Sequence, residues 1–417
     1  MKLSLDQWLE YQLQTHPQAI AMGLDRVRTV AVALGLEKPG ALVLTVGGTN
    51  GKGSTVAFIE AIARAAGLRV GAFTSPHLLR YNERVRIDGR DADDAALVSA
   101  FERIEAARGD IPLTYFEFGT LAALLLFAQA RLDLAVLEVG LGGRLDAVNI
   151  VDADVAVLTT VDLDHQEYLG GDRETIGAEK AGIFRAGKPC VLGERDPPSS
   201  VLAHAYRIGA PAIRAQSDYL FERHGRHWTW REPAFEIELP VPVLEAPAQL
   251  DNAAAAIAAL RALPLEIPDA ALREGVAWAR AGGRLQRVGE APQVLVDVAH
   301  NPQAARQLAA WLALHPRPTH AVYAALRDKD VAAVVSELDA GIAHWHLAGI
   351  ADAGARNLSG DELAGRLDEI LAPARRSVHP DVARALAHAA RAAGPEGRVL
   401  VFGSFHTAAA ALRSATH

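Results

Sequence analysis

The sequence predicts an α/β protein of two domains, each built on a mostly parallel sheet. Apolar, β-branched runs alternate along the chain with Ala- and Leu-rich helical stretches, which is the pattern of a parallel sheet covered by helices. The length of 417 residues exceeds what one ordinary hydrophobic core holds, so two domains are expected.

The larger, N-terminal domain is indicated by four apolar runs and the helical stretches between them. Strands are predicted at Ala41–Val46, Arg69–Phe73, Leu134–Val139 and Val155–Thr160. Helices are predicted at Lys52–Ala66 and Phe116–Arg131. Between residues 218 and 239 short runs alternate between apolar and polar side chains, which predicts an antiparallel patch at the edge of the sheet.

The smaller, C-terminal domain begins after the turn-prone segment Ala281–Gly283. Strands are predicted at Val294–Val298, His320–Ala324 and Arg398–Phe402, with a helix after Pro302. This second strand–helix series predicts a Rossmann-like α/β domain. We place the boundary after residue 285, which gives domains of residues 1–285 and 286–417.

Composition and charge exclude several classes of protein. The formal net charge is −8, so a broad electrostatic surface for nucleic acid or an anionic membrane is not expected. The single cysteine, Cys190, excludes an intrachain disulfide and a metal site with several cysteines. The N-terminus lacks the apolar core of a signal peptide, and the longest apolar stretch is too short to cross a bilayer. We expect a monomeric cytoplasmic protein that acts on small molecules.

A glycine-rich loop between a predicted strand and a predicted helix is the strongest local motif. It contains Gly48, Thr49, Asn50, Gly51, Lys52, Gly53 and Ser54. Glycines let backbone N–H groups approach phosphate oxygens, and the helix N-terminus adds a favourable dipole. Lys52 would neutralise the β- and γ-phosphates of ATP, and Ser54 would bind Mg²⁺. The loop predicts a P-loop ATPase-like domain; the alternative is an ordinary strand-to-helix turn.

Two departures from the general phosphate-loop pattern point to a particular family. Val46 stands where the first glycine is expected, and Gly53 is inserted between the lysine and the hydroxyl residue. The loop resembles that of the folylpolyglutamate synthases, a branch of the Mur ligase superfamily. Further patches that resemble this family follow in order at Thr74–Leu78, Glu138–Ala147, Asp164–His165, Glu179–Arg185 and Asp297–Pro302.

The resemblance implies a site with two magnesium ions. Glu138 ends a predicted strand, where ligands bind in open α/β sheets, although a carboxylate there could instead cap a helix. By the resemblance, Ser54 and Ser75 contribute to the first ion, and Glu138 and His165 share the second. The resemblance also implies that Lys180 is carbamylated, which turns a cation into an anionic oxygen ligand. The alternative for Lys180 is an ammonium group that binds phosphate.

Four further residues are assigned to the nucleotide and the catalytic site by resemblance. Asn252 would lie near the adenine, although its position also suits a helix N-cap. Arg284 would reach the ATP phosphates, even though Gly282 stands where the family usually has proline. Asp297 would contact the ribose, and His300 would take part in catalysis; the alternative for both is a strand end capped by polar side chains.

The folate side resembles the bifunctional bacterial branch of the family, which also acts as dihydrofolate synthase. The residues implied to surround dihydropteroate are Gly23, Leu24, Asp25, Arg26, Thr114, Phe116, Asp146 and Ala147. Aromatic side chains suit a flat heterocycle because they bury it and stack on it. The alternative for Phe116 is a place partly in the hydrophobic core.

These assignments predict an ATP-dependent ligase that joins L-glutamate to dihydropteroate and to reduced folates through an acyl phosphate. ATP and Mg²⁺ are the expected cofactors, and the sequence leaves open whether a monovalent cation is also required. The alternatives are a folylpolyglutamate synthase alone, another Mur-type amide ligase, or a regulatory ATP-binding module without ligase activity.

Overall fold

The computed structural model describes residues 3–18, 20–36 and 38–415, which form two compact units. The first unit comprises Met1–Val243 and Gln249–Arg280, and the second comprises Leu244–Ala248 and Ala281–His417. The predicted boundary after residue 285 falls inside the second unit, because Leu285 is buried in the hydrophobic core of that unit.

The main sheet of the first unit contains eight strands in the part of the chain that the structure describes. They are β1 Gly40–Gly47, β2 Val70–Phe73, β3 Val85–Ile87, β4 Arg90–Asp91, β5 Leu132–Glu138, β6 Val155–Leu158, β7 Cys190–Leu192 and β8 Ala212–Arg214. Their order is β4-β3-β2-β5-β1-β6-β7-β8. The strands from β2 to β8 in this order are parallel, and β3 and β4 form an antiparallel edge.

The helices of the first unit pack on this sheet, on one another or on the smaller sheet described next. They are α1 Leu5–Gln12, α2 Asp25–Ala33, α3 Lys52–Ala65, α4 Asp94–Arg108, α5 Tyr115–Ala130, α6 Gln166–Leu169, α7 Arg173–Ala181, α8 Ser199–Ile208, α9 Ala248–Arg261 and α10 Asp269–Trp278. Helix α5 is buried without interruption from Glu117 to Phe127, as its almost wholly apolar sequence requires.

The antiparallel strands expected between residues 218 and 239 do form, as β9 Leu220–His224, β10 His227–Glu232 and β11 Phe235–Pro240. Their predicted place at the edge of the main sheet was wrong, since they pair only with one another. The indole rings of Trp228 and Trp230 are both buried because side chains two residues apart share one face of a strand. Nε1 of Trp230 donates to the carbonyl oxygen of Ala254 in α9, so this face covers a helix.

The second unit contains one six-stranded sheet within the described residues. Its strands are β12 Gln286–Glu290, β13 Gln293–Val296, β14 Thr319–Tyr323, β15 His344–Ala348, β16 Arg376–His379 and β17 Arg398–Phe402. Their order is β12-β13-β17-β14-β15-β16, and β12 alone is antiparallel to its neighbour. The helices are α11 Pro302–Leu314, α12 Val331–Leu338, α13 Gly360–Arg366, α14 Val382–Ala393 and α15 Phe405–Ala415.

The predicted fold class, α/β with a mostly parallel sheet in each domain, is confirmed. Each strand predicted individually ends within two residues of its observed bounds, since buried parallel strands are marked by continuous apolar runs. Among the described residues, no helix is both long and apolar enough to cross a membrane.

Candidate active site

The strand order of the first unit places four predicted site segments in a row. Strands β2, β5, β1 and β6 are neighbours and run parallel, so the segments that follow them meet at one edge of the sheet. Ser75 follows β2, Glu138 ends β5, the glycine-rich loop follows β1, and His165 follows β6. The carboxyl edge of a parallel sheet is where ligands bind in open α/β folds.

Two glycines of the loop cannot be replaced without strain. Gly48 has a φ of 144° and Gly51 a φ of 86°, in the region that glycine alone adopts easily. A Cβ on Gly48 would lie 1.9 Å from Oγ1 of Thr159, and one on Gly51 would lie 2.4 Å from Oδ1 of Asn252. The loop is therefore closely packed on both sides.

The segment after β6 fixes the loop through hydrogen bonds that sequence analysis did not anticipate. The N–H of Thr49 donates to the carbonyl oxygen of Thr160 at 2.7 Å, and the N–H of Asn50 donates to Oγ1 of Thr160 at 3.1 Å. Oγ1 of Thr159 donates to the carbonyl oxygen of Asn50 at 2.6 Å. Thr49 and Asp162 are also joined by two bonds. The sequence feature that could have indicated these bonds is the pair Thr159 and Thr160, which directly follows the buried strand β6.

Two lysine side chains converge on the loop. Nζ of Lys52 donates to the carbonyl oxygens of Gly48 and Thr49, at 3.0 and 3.2 Å. Nζ of Lys180, at the end of α7, donates to the same carbonyl oxygen of Gly48 at 3.1 Å. Burial, aided by the charge of Lys52, lowers the pKa of the Lys180 ammonium to about 7. A buried amine with this pKa is partly neutral at physiological pH, which carbamylation requires.

The side chains near the loop fit a divalent cation bound by oxygen. Oγ of Ser54 is buried and has no hydrogen-bond partner among the described residues, which is costly unless a ligand completes the site. The carboxylate of Glu138 is also buried, and its Oε2 accepts a bond from the N–H of Ser75 at 3.0 Å. Hydroxyl and carboxylate oxygens are the ligands that Mg²⁺ prefers.

His165 occupies a strained position at the same edge of the sheet. Its φ is 52°, which is uncommon for a residue with a side chain and is enriched at functional sites. Its backbone N–H donates to Oδ1 of Asp164 at 2.9 Å, and its ring Nε2 lies 4.0 Å from the other carboxylate oxygen. About a third of the imidazole is exposed.

Asn252 lies against the phosphate loop, although its predicted position in the helix was wrong. It is inside α9, which begins at Ala248, and so it is not an N-cap. Its Oδ1 accepts a long bond of 3.5 Å from Oγ1 of Thr55, and its Nδ2 donates to Oε1 of Gln249 at 3.1 Å. The buried amide is therefore held by two side chains and fixed next to Gly51.

The predicted folate residues gather around the loop of residues 140–147. The N–H of Gly23 donates to the carbonyl oxygen of Leu145 at 3.4 Å. Phe116 packs so closely on Gly140 that an added Cβ would lie 2.6 Å from its ring. Arg26 forms a salt bridge of 3.0 Å with the buried Glu117, one residue after Phe116. Leu24 and Asp25 lie at the start of α2, directly before Arg26.

Thr114 caps the start of helix α5, and Asp146 caps the start of a short 3-10 helix, Ala147–Ile150. Oγ1 of Thr114 accepts a bond from the N–H of Glu117, whose carboxylate accepts from the N–H of Thr114, a capping box for α5. Asp146 accepts bonds from the N–H groups of Leu141 and Val148, at 2.8 and 3.0 Å. Burial raises the pKa of Asp146 to about 6 despite these bonds. Ala147, which follows, is buried too.

In the second unit, three residues that were predicted to bind ATP or to act in catalysis flank strands β12 and β13. Asp297 is buried, and its two oxygens accept bonds of 2.8 Å from the N–H groups of Leu285 and Ala299. Burial raises the pKa of Asp297, and the charge of Arg284 opposes that shift. Nδ1 of His300 lies 2.9 Å from the carbonyl oxygen of Val298, which orients the ring.

Both parts of the chain match models of known families. The model described as "Mur ligase middle domain" matches residues 46–260, and "Mur ligase, glutamate ligase domain" matches residues 283–405. The dihydrofolate synthase/folylpolyglutamate synthase of Escherichia coli strain K12 is 45% identical over 408 residues, which covers 97% of this chain and 94% of the relative. The chain belongs to the dihydrofolate synthase/folylpolyglutamate synthase family of Mur ligases. The resemblance drawn from the sequence is confirmed.

Solved structures of this family have the same fold. E. coli FolC in complex with DHPP and ADP has a TM-score of 0.94 and 44% identity, covering 99% of this chain and 97% of that one. A bifunctional folylpolyglutamate synthase/dihydrofolate synthase with Mn, AMPPNP and L-glutamate bound has a TM-score of 0.92 and 46% identity, covering 100% and 98%. These likenesses also confirm the predicted fold class.

Proposed function

We propose that this chain is an ATP-dependent ligase that joins L-glutamate to dihydropteroate, giving dihydrofolate, and also to reduced folates. The observation that carries the proposal is the convergence of Lys52 and Lys180 on one carbonyl of the phosphate loop. It occurs in a chain whose relatives bear the names of both activities and bind ADP, AMPPNP and L-glutamate.

The reaction begins with activation of the folate carboxylate. A carboxylate is a poor electrophile, so transfer of the γ-phosphoryl group of ATP to its oxygen supplies a leaving group and releases ADP. The amine of glutamate then attacks the acyl carbon, the C–O bond to phosphate breaks, and an amide, phosphate and a proton result. Catalysis of such steps depends on positioning and charge neutralisation, which the rigid loop and Lys52 provide.

The proposed metal ligands belong to segments at the carboxyl edge of the main sheet and to the end of α7. Ser54 and Ser75 would hold one magnesium ion, and Glu138, His165 and carbamylated Lys180 would hold a second. Magnesium there would neutralise charge on the phosphate oxygens. The buried and unpartnered hydroxyl of Ser54 supports this assignment, because a metal ion would complete its coordination.

The remaining proposed site residues fall into one group that contacts ATP and another that surrounds the folate. Asn252, Arg284 and Asp297 are proposed to contact the adenine, phosphates and ribose of ATP, and His300 is proposed to act in catalysis. The folate pocket is proposed around the loop of residues 140–147, where the 23–26 segment and the start of α5 meet. That convergence supports the pocket, since the three segments are far apart in the sequence.

A phosphate-release assay with the full chain, ATP and Mg²⁺ tests the proposal. Phosphate should appear only when glutamate and a folate acceptor are both present, with dihydropteroate and with tetrahydrofolate in separate reactions. Mass spectrometry should show one added glutamate in each product. Activity with tetrahydrofolate alone would reduce the function to folylpolyglutamate synthesis. A lack of glutamate-dependent release with either acceptor would refute the ligase assignment.

A further inference from the structure

Five histidines cluster on one face of the sheet in the second unit. They are His320 on β14, His344 and His346 on β15, His379 on β16, and His388 on α14. The three strands are adjacent, and helix α14 packs against them. His344 and His346 point to the same face because they are two residues apart, and Ser377, opposite His346, lies two residues before His379.

Nitrogen atoms of three of these rings lie close enough to share one ion. His346, His379 and His388 each offer a ring nitrogen, and these atoms all lie within 4.8 Å of one another. Nδ1 of His346 is 3.3 Å from Nε2 of His379. Two nitrogens bound to one tetrahedral zinc ion at about 2.0–2.1 Å are separated by about 3.3 Å. The distance between Nδ1 of His346 and Nε2 of His379 therefore equals the distance expected between two nitrogens bound to one zinc ion.

We propose that His346, His379 and His388 form a binding site for one divalent transition-metal ion, with Zn²⁺ as the ion that fits best. Three imidazoles and a water molecule complete a tetrahedral zinc site, and imidazole ligands suit zinc, copper and nickel far better than magnesium. The site is separate from the proposed magnesium site, because all its ligands belong to the second unit and all are nitrogen atoms.

His320 orients one of the ligands from its outer side. Nδ1 of His320 lies 3.1 Å from Nε2 of His346, the nitrogen that faces away from His379. Such a partner on the outer nitrogen fixes the tautomer of a metal-binding histidine. Oγ of Ser377 lies 3.1 Å from Nδ1 of His346 and 2.9 Å from Nε2 of His379, the two nitrogens that face each other, so a bound ion would replace these hydrogen bonds.

The surroundings of two of the three ligands, His346 and His379, favour the neutral form that binds metals. Burial, and then the neighbouring imidazoles, lower the pKa of His346 to about 3. Burial likewise lowers the pKa of His379, although Asp381 opposes the shift. A neutral imidazole keeps a lone pair that a metal ion can bind, so a lowered pKa reduces competition from protons at these two ligands.

The position of the site suggests what the ion does. β16 is the edge strand of the sheet, and the ion would join it to β15 and to α14. The three ligands come from three separate elements, so they lie close together only when the chain is folded. Binding to the folded state alone raises the free energy of unfolding with metal concentration.

The test uses the untagged full chain, stripped of metal with a chelator and titrated with Co²⁺ and then Zn²⁺. One Co²⁺ per chain should give the visible absorption of a tetrahedral site, and Zn²⁺ should displace it and raise the melting temperature. His388→Ala removes an exposed ligand, and His379→Gln removes a half-buried one. Each should weaken Zn²⁺ binding at least about tenfold, with circular dichroism of the metal-free variants unchanged.

Two control variants separate this site from others. His227→Ala removes an exposed histidine on β10 of the first unit, and His165→Ala removes a ligand of the proposed magnesium site. Both should keep the tetrahedral Co²⁺ spectrum and the wild-type affinity for Zn²⁺. The proposal is overturned if His388→Ala and His379→Gln bind Zn²⁺ as the wild type does, or if His165→Ala abolishes the Co²⁺ spectrum.

Discussion

Nζ of Lys180 lies 3.1 Å from the carbonyl oxygen of Gly48, a residue 132 positions earlier in the chain. This bond places the end of α7 directly against the phosphate loop. Lys52 donates to the same carbonyl oxygen, so two side chains that are ordinarily cationic share one acceptor. Burial and the charge of Lys52 lower the pKa of Lys180, which favours the neutral amine that chemical modification requires.

Lys52→Ala should reduce glutamate-dependent phosphate release by at least about 100-fold at saturating ATP, because the ammonium is proposed to neutralise charge in the transition state. The melting temperature should stay close to that of the wild type, since the Lys52 ammonium donates to carbonyl oxygens of the loop and is not part of the hydrophobic core. Lys188→Ala is the matched control. Lys188 is exposed and lies just before β7, at the opposite end of the parallel strands from the phosphate loop. Near-normal turnover of Lys52→Ala would refute the phosphate-loop assignment.

Ser54→Ala should raise the Mg²⁺ concentration needed for half-maximal activity without lowering stability. The hydroxyl is buried and has no partner in the described structure, so its removal loses no protein hydrogen bond. Thr45→Val is a matched control, because Oγ1 of Thr45 is also buried and unpartnered but lies inside β1. It should leave the Mg²⁺ dependence unchanged. An equal effect of both variants would show that Ser54 is not a metal ligand.

Lys180→Ala should be nearly inactive and should regain part of its activity with added formate or acetate. A short carboxylate can occupy the position that the carbamate leaves, whereas Lys52→Ala should show no such rescue. A crystal structure of the wild type should show extra density on Nζ of Lys180, within coordination distance of a metal shared with Glu138 and His165. Full metal occupancy beside an unmodified Lys180 that binds phosphate would contradict carbamylation and leave the ligase proposal intact.

Thr114→Ala and Asp146→Ala should lower activity with dihydropteroate more than activity with tetrahydrofolate. The measurement is the ratio of the two rates. Because Thr114 caps α5, its alanine variant should also lose about 1 kcal/mol of unfolding free energy. Thr114→Ser keeps the hydroxyl and should restore both stability and the wild-type ratio of rates. An equal fall in both rates would mean that these residues serve the fold or the shared site.

Glu194 should make the stability of the chain decrease as pH rises. Burial raises the pKa of Glu194 to about 7, against the lowering effects of the Val161 N–H and Arg173. The folded state then binds more protons than the unfolded state between about pH 4.5 and 7, so the free energy of unfolding falls across that range. Glu194→Gln should remove roughly 1–3 kcal/mol of this fall, measured by urea unfolding at pH 5 and pH 8. Parallel pH profiles for both proteins would contradict the shift.

Local patterns in the sequence were sufficient for the strands and helices that were predicted individually and for the strand–loop–helix arrangement of the phosphate loop. The strand before the loop, the loop glycines and the helix that begins at Lys52 are neighbours in the chain, so hydrophobic runs and turn residues specify them directly. The motifs that mark the family were also local, and the comparisons confirm the family they indicated.

Only the tertiary structure decided which distant residues meet. The strand order brings Ser75 to Glu138 and the threonines after β6 to the loop, and no local pattern encodes that order. Asn252 was expected at a helix start and lies inside α9, because a turn of helix precedes it. The histidines of the proposed zinc site are spread over three elements without a metal-binding spacing. Their proximity follows from the pairing of β15 with β16 and the packing of α14, which depend on burial of the whole sheet.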